Sequence, residues 1–388
     1  MAIVNDLAAP SRPPSAMRRM GMWAAVHAAD DFYQGLVLAS IPYFVLERHY
    51  SYLAASGLTL AATLGSALPQ PLIGLAVDRW RLPRLAAAGV LLAGAGYAAA
   101  GAAGPYALVW TLLLLSGLGV AMFHPAAGKA ARDAAGDSVT AMSVFAAGGS
   151  VGFFLAPVLA TPVLDAWGVA ASVVFLPPAV LAAAVLARPG RVRAAASATV
   201  AAGPDRWRPF AVLTMISVVR SAVFSAVATF LGLYWIRHLD ATPTLAGVAL
   251  ACFLGGGVLG TIAGGRFADR TGPVRAVRLG SALAVPVLIG LRLAPGPLSA
   301  LPFAALAGLA LNVPFAVLVR LGQDYLPGRP GTAAGVTLGL GVSAGGLLTP
   351  VFGQVADTHG TPLVFTLLCA VPAAAWALGL LLPTERRS

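Results

Sequence analysis

Charge is scarce in this chain. Of 388 residues, 10% are charged and 59% hydrophobic, whereas a soluble domain carries about 25% charged residues. With a mean hydropathy of +0.84, the surface cannot be built for water alone. Cysteine is nearly absent: Cys252 and Cys369 stand apart in apolar runs with no histidine or second cysteine beside them. That argues against a disulfide framework or a zinc motif and reads as two small core residues. The glycine runs Gly148-Gly149-x-x-Gly152, Gly255 to Gly257 and Gly339 to Gly346 are followed by no Lys-Ser/Thr, so they are not phosphate loops. With no nucleophile elbow and no metal-ligand spacing either, an enzyme is not expected, and neither a cofactor nor ATP is. Lysine occurs once, at Lys129, and the net charge of +11 is arginine in short gaps between apolar runs. A basic stripe interleaved with aromatics, which nucleic acid needs, is missing.

What is present is a series of apolar runs. A helix crosses the hydrocarbon core with roughly 20 residues, and twelve stretches are long enough: 21–46, 52–77, 83–102, 105–131, 138–164, 168–187, 209–237, 243–268, 273–292, 297–322, 330–356 and 360–382. Alternate gaps hold 21 of the 25 positive residues, and the other gaps hold Arg48, Arg237 and Arg292. The positive-inside rule therefore places both termini in the cytoplasm. The expected division is a cytoplasmic tail (1–20), a six-helix bundle (21–187), a basic Pro/Gly-punctuated linker (188–208), a second six-helix bundle (209–382) and a short tail (383–388). The first run is too long for a signal-peptide core and reads as an uncleaved helix. Trp110, Trp167 and Trp235 are candidate interface anchors.

The halves repeat. Gly74-Leu-Ala-Val-Asp78-Arg79 follows the second run, and Gly265-Arg-Phe-Ala-Asp269-Arg270 follows the eighth. Gly152, Pro157, Asp165 and Gly168 match Gly345, Pro350, Asp357 and Gly360 in spacing, and Asp133 matches Asp324. Repeated six-helix halves with a binding site between them are a known transporter plan.

The doubled G-x-x-x-D-R motif in a six-plus-six chain resembles the major facilitator superfamily. Within it, His27-Ala-Ala-Asp-Asp-Phe-Tyr33, Gln70-Pro-Leu-Ile-Gly74, Phe123-His124-Pro125 and Tyr325-Leu-Pro-Gly-Arg-Pro-Gly-Thr332 resemble the fosmidomycin resistance group of drug exporters. That group often has Asn where Asp30 stands. The resemblance implies an all-α fold of two pseudo-symmetric bundles that works as a monomer in a bacterial inner membrane. It also implies a small polar or phosphonate-like substrate, driven by a proton gradient. It further implies that the doubled loops latch the cytoplasmic side. Asp78 would then meet the start of helix eleven and Asp269 the start of helix five, with Arg79 and Arg270 paired to Asp133 and Asp324. Solvation and topology signals are the plainer reading of the same residues.

Ionisable groups inside membrane helices are costly, roughly 2.5–3.5 kcal/mol on insertion scales. His27, Asp30, Asp31 and Arg220 sit deep within runs one and seven. His27 and Asp31 share a helical face, and Asp30 and Gln34 share the next. Repeat register places Asp31 level with Arg220, so an ion pair or water-bridged couple between Arg220 and one of the two aspartates, Asp30 or Asp31, is expected across the cavity. An anionic substrate at Arg220 would free the aspartate to take a proton. A pair that merely fixes packing is the alternative. His124 either relays protons or bonds a carbonyl freed by Pro125. Tyr43, Gln70, Phe224 and Asn312 complete the candidate lining. Proton-coupled antiport of a drug or metabolite is the leading expectation. Symport or facilitated uptake in the same fold is the first alternative, and a non-transporting receptor the second. The longest polar segment, 188–208, is short for a receptor's soluble domain.

Overall fold

The computed structural model describes residues 16–80, 82, 84–135, 139–188, 204–329, 333, 336–337 and 341–383, with only the backbone of 16–19, 78, 133, 135, 139–143 and 342. Most of both expected tails and of the expected linker, the start of the eleventh run, and the Asp78 and Asp133 side chains thus lie outside the description. The chain forms twelve membrane-crossing segments. The first half comprises α1 (Ala16–Arg48), α2 (Tyr52–Ala67) with α3 (Gln70–Arg79), α4 (Leu85–Ala102), α5 (Tyr106–Ala135) and α6 (Val139–Trp167). It ends with a 3₁₀ segment (Val169–Phe175) running into α7 (Leu176–Leu186). The second half comprises α8 (Trp207–His238), α9 (Pro243–Thr271), α10 (Pro273–Leu293), α11 (Pro297–Asn312) with α12 (Phe315–Tyr325), α13 (Gly341–Leu347) with α14 (Thr349–His359), and α15 (Thr361–Leu380). Ten of these spans are long and apolar enough on composition among the described residues. α1, which carries Asp30 and Asp31 near its middle, is not among the ten, and the eleventh span is only partly described.

Proline sets the breaks. Pro69 and Pro71 divide α2 from α3 and Pro314 divides α11 from α12, because proline has no N–H for the helical ladder. Small residues set the spacing. A Cβ on Gly148 or Gly152 would strike the main chain of Ala24 or Ala28, which draws α6 against α1. On α9, Gly256, Gly260 and Gly264 lie in the same way against the carbonyls of Ala305, Leu309 and Val313. Small residues four apart let helices approach where lipid offers no hydrophobic drive.

At the end away from the chain termini, acids cap helices. Gly168 and Gly360 stop α6 and α14 with φ of 71° and 80°, the left-handed region that favours glycine. Just before each stands an aspartate. Asp357 accepts the N–H groups of Tyr52 (2.7 Å) and Leu53 (2.9 Å), the first two residues of α2 in the opposite half. Asp165 accepts from the Thr244 hydroxyl at the start of α9, 2.9 Å away, again across the halves. Glu47 accepts the Val169 N–H at 2.9 Å within the first half. Thr229 and Thr59 join the halves deeper in, at 3.3 Å. Among the expected anchors, Trp167 is exposed but Trp235 is wholly buried. Trp235 lies near a helix end, yet its face of α8 turns into the core cluster of that end.

Candidate functional site

The acidic stretch of α1 faces α5 and α6. Nδ1 of His27 donates to the Phe145 carbonyl on α6 at 2.8 Å, and the imidazole stacks on the Phe145 ring at 4.3 Å. Nδ1 of His124 on α5 donates to the Val120 carbonyl at 3.0 Å. A carbonyl can only accept, so both Nδ1 atoms carry hydrogen and both Nε2 atoms turn lone pairs inward when the rings are neutral. There they meet. The two Nε2 atoms are 3.3 Å apart. His27 Nε2 lies 3.4 Å from Asp31 Oδ2, and His124 Nε2 lies 3.2 Å from Asp31 Oδ1. Gln34 donates to Asp31 Oδ1 at 3.2 Å. Gly149 on α6 makes room: a Cβ there would strike Asp31 Oδ2 and lie 2.6 Å from His27 Nε2.

Asp30 is fully buried, and neither carboxyl oxygen accepts a hydrogen bond. Its nearest cationic or imidazole group is His124 Nδ1, at 3.6 Å from Oδ2. Burying a carboxyl without partners costs free energy, so this site is maintained against its own desolvation. The cluster opens on one side, where the side chains of His124 and Asp31 are 26% and 17% exposed.

Arg220 is placed otherwise than expected. It is buried, but Asp31 is held by the two histidines and no carboxylate among the described residues reaches Arg220. Its Nη1 approaches the Leu311 carbonyl at 3.4 Å and its Nη2 donates to Ser221 Oγ at 3.1 Å. Leu311 stands at the break made by Pro314. The guanidinium lies over Phe315 at 4.9 Å and Phe224 at 5.9 Å, and Nε has no partner. The cause is rotation about α8. Arg220 turns toward Gly280, Ser281, Pro314 and Pro372 within its own half, not across the cavity.

Other expectations resolve in part. His27 and Asp31 do share a face, but Gln34 serves Asp31 and not Asp30. His124 bonds Val120, not Ala121, whose carbonyl is the one Pro125 frees. Tyr43 donates to the Thr161 carbonyl at 3.2 Å, Gln70 to Ser66 at 2.8 Å and Asn312 to Gly308 at 2.8 Å. These three brace helices and are not gathered at the cluster. Asp269 faces Arg320 of its own half at 3.6 Å, both largely exposed; residues 136–138, where its expected partner helix begins, lie outside the described residues. Asp324 and Arg320 line one groove on that side. The Phe145 carbonyl and Gly149 are members of the site that the residue types alone did not single out. The glycine pair at 148 and 149 is the one sequence signal that points there.

Two six-helix bundles with a buried acid–imidazole cluster between transmembrane helices define a polytopic membrane transporter. The Major Facilitator Superfamily pattern matches residues 24–350, and the chain belongs to that family. It is 28% identical over 391 residues to the fosmidomycin resistance protein of Escherichia coli (strain K12), covering 95% of this chain and 93% of that one. It is 30% identical over 379 residues to the uncharacterized MFS-type transporter YfnC of Bacillus subtilis (strain 168), covering 93% and 91%. The fold matches a bacterial homologue of the human lysosomal transporter Spinster in an inward-facing and occupied conformation. The TM-score is 0.75 at 16% identity, over 96% of this chain and 95% of that one. The protein is thus a multi-pass inner-membrane transporter for small molecules, not an enzyme.

Proposed function

We propose that the protein is a proton-coupled antiporter that exports a small polar or anionic compound by alternating access, with both termini in the cytoplasm. The observation that carries this reading is the convergence of lone pairs between α1 and α5. His27 and His124 spend their Nδ1 hydrogens on main-chain carbonyls, so two Nε2 atoms and both Asp31 oxygens meet at 3.2–3.4 Å. Acceptors at that spacing repel unless a donor lies between them. A proton bridges them, and so does a hydroxyl or amine of a substrate. Only one of the two fits at a time, and this mutual exclusion is what an antiporter needs. Asp30, beside His124 and free of hydrogen bonds, is the second protonatable group. Arg220, a buried cation that no carboxylate among the described residues reaches, is the candidate attraction for an anionic end, which has to pass Phe224 and Phe315 because the guanidinium is turned into its own half.

The name of the E. coli relative supports export, and fosmidomycin is the first compound to test. A substrate that brings negative charge to Arg220 but donates nothing into the cluster would draw the proton in with it. The same residues would then run a symporter. Proteoliposomes carrying an internal pH-sensitive dye separate the cases. The test compares wild type with Asp30→Asn, Asp31→Asn and Arg220→Ala over a panel of small anions and cations. Protons moving against substrate, and lost in an aspartate variant, are expected. Protons moving with substrate would replace antiport by symport. Substrate flux without proton movement would end the coupling reading.

A further inference from the structure

We propose that His27, Asp31 and His124 form a binding site for a transition-metal dication of the zinc, cobalt or nickel class. The inference uses the same side chains as the proton reading but does not depend on coupling. Three features carry it. The donor set is two imidazole nitrogens and a carboxylate, the mixture these ions take. The spacing comes close to that of a coordination sphere. Bonds of about 2.0–2.1 Å at the tetrahedral angle place neighbouring donor atoms about 3.3–3.4 Å apart. Here the two Nε2 atoms are 3.3 Å apart, Asp31 Oδ2 lies 3.4 Å from that of His27 and Asp31 Oδ1 3.2 Å from that of His124, so the carboxylate spans both rings, and one atom from each residue falls within 4.8 Å of the others. The outer support is also in place. Each ring donates its Nδ1 hydrogen to a main-chain carbonyl, Phe145 for His27 and Val120 for His124, and Gln34 holds Asp31. Such bonds fix the tautomer and aim Nε2 at an ion.

Three protein donors leave one position of a tetrahedral ion for water or substrate, on the side where His124 and Asp31 are partly exposed. Phe123 and Phe145 pack beside His27, with ring centroids at 5.8 and 4.3 Å. The bound ion ties α1 to α5 and occupies the lone pairs a proton would use.

The test is titration of the purified, detergent-solubilised full chain with Co²⁺, read by its visible ligand-field absorption, followed by displacement with Zn²⁺. One equivalent with tetrahedral absorption is expected. His124→Gln and Asp31→Asn should each weaken binding by about tenfold or more, and His359→Ala, at an exposed histidine outside the cluster, should leave it unchanged. Each variant is checked for a monodisperse profile, so that loss of fold is not taken for loss of a ligand. Absence of tetrahedral absorption in the wild type, or binding that survives both cluster substitutions, would overturn the site. Neither outcome bears on proton movement, which is measured without metal.

Discussion

Removing the Asp357 carboxylate should loosen the end of the molecule away from the termini. Asp357 takes the first two N–H groups of α2 at 2.7 and 2.9 Å from the opposite half. Ser51 takes the third, from Ala54, at 3.1 Å. These groups have no partner within their own helix, so Asp357 acts as a cap supplied by another domain. Loss of a capping side chain costs about 0.5–2 kcal/mol, and a negative charge at a helix N-terminus adds about 0.3–1 kcal/mol at an exposed site. The site is exposed, so a total of about 1–2 kcal/mol applies to Asp357→Ala, which is a factor of about 5–30 in the ratio of closed to open states. Asp357→Asn keeps one acceptor and should fall between. Asp165 makes a single side-chain bond to Thr244, so Asp165→Ala should shift the ratio less. Spin labels on Leu108 and Leu298, exposed residues at the starts of α5 and α11, report the separation of the halves in a background lacking Cys252 and Cys369. An unchanged distance distribution in Asp357→Ala, or a larger shift in Asp165→Ala, would refute the capping argument.

Gly149→Ala should abolish transport in a protein that still folds, because the new methyl collides with Asp31 and His27. Gly21→Ala, where nothing lies within 4 Å, is its control, and equal transport rates in the two variants would contradict the packing of the cluster. Arg220→Ala should raise the KM for an anionic substrate by about 10-fold or more, from the about 1.5–3 kcal/mol of a charged hydrogen bond, and change it little for an uncharged analogue. Equal effects on both compounds would assign Arg220 to helix packing alone.

The architecture was legible because membrane crossing imposes a coarse rule: apolar runs, charged gaps and a repeat of six plus six were enough for twelve spans in two halves. Helix rotation was not legible. Repeat register fixes the level of Arg220 relative to Asp31, but one residue turns a helix by about 100°, and Arg220 faces the interior of its own half. Trp235 failed as an interface anchor for the same reason. The i, i+4 pair of His27 and Asp31 was readable locally. Its meeting with His124, 97 residues away, was not, since nothing near Pro125 says which carbonyl or acid the ring will face. The doubled aspartates before Gly168 and Gly360 were visible as repeats. Their partners across the halves emerged only with the packing of α2 on α14 and α6 on α9.

The central claim is that an acid–imidazole cluster on α1 and α5 exchanges a proton for substrate. The most direct measurement compares two modes of movement of a transported compound in proteoliposomes for wild type, Asp30→Asn and Asp31→Asn: accumulation driven by an imposed pH gradient, and exchange of labelled for unlabelled compound with no gradient. Exchange needs alternating access alone, whereas accumulation also needs the proton. The account predicts that at least one of the two aspartate variants keeps exchange and loses accumulation. Accumulation at the wild-type level in Asp30→Asn, and again in Asp31→Asn, would contradict it.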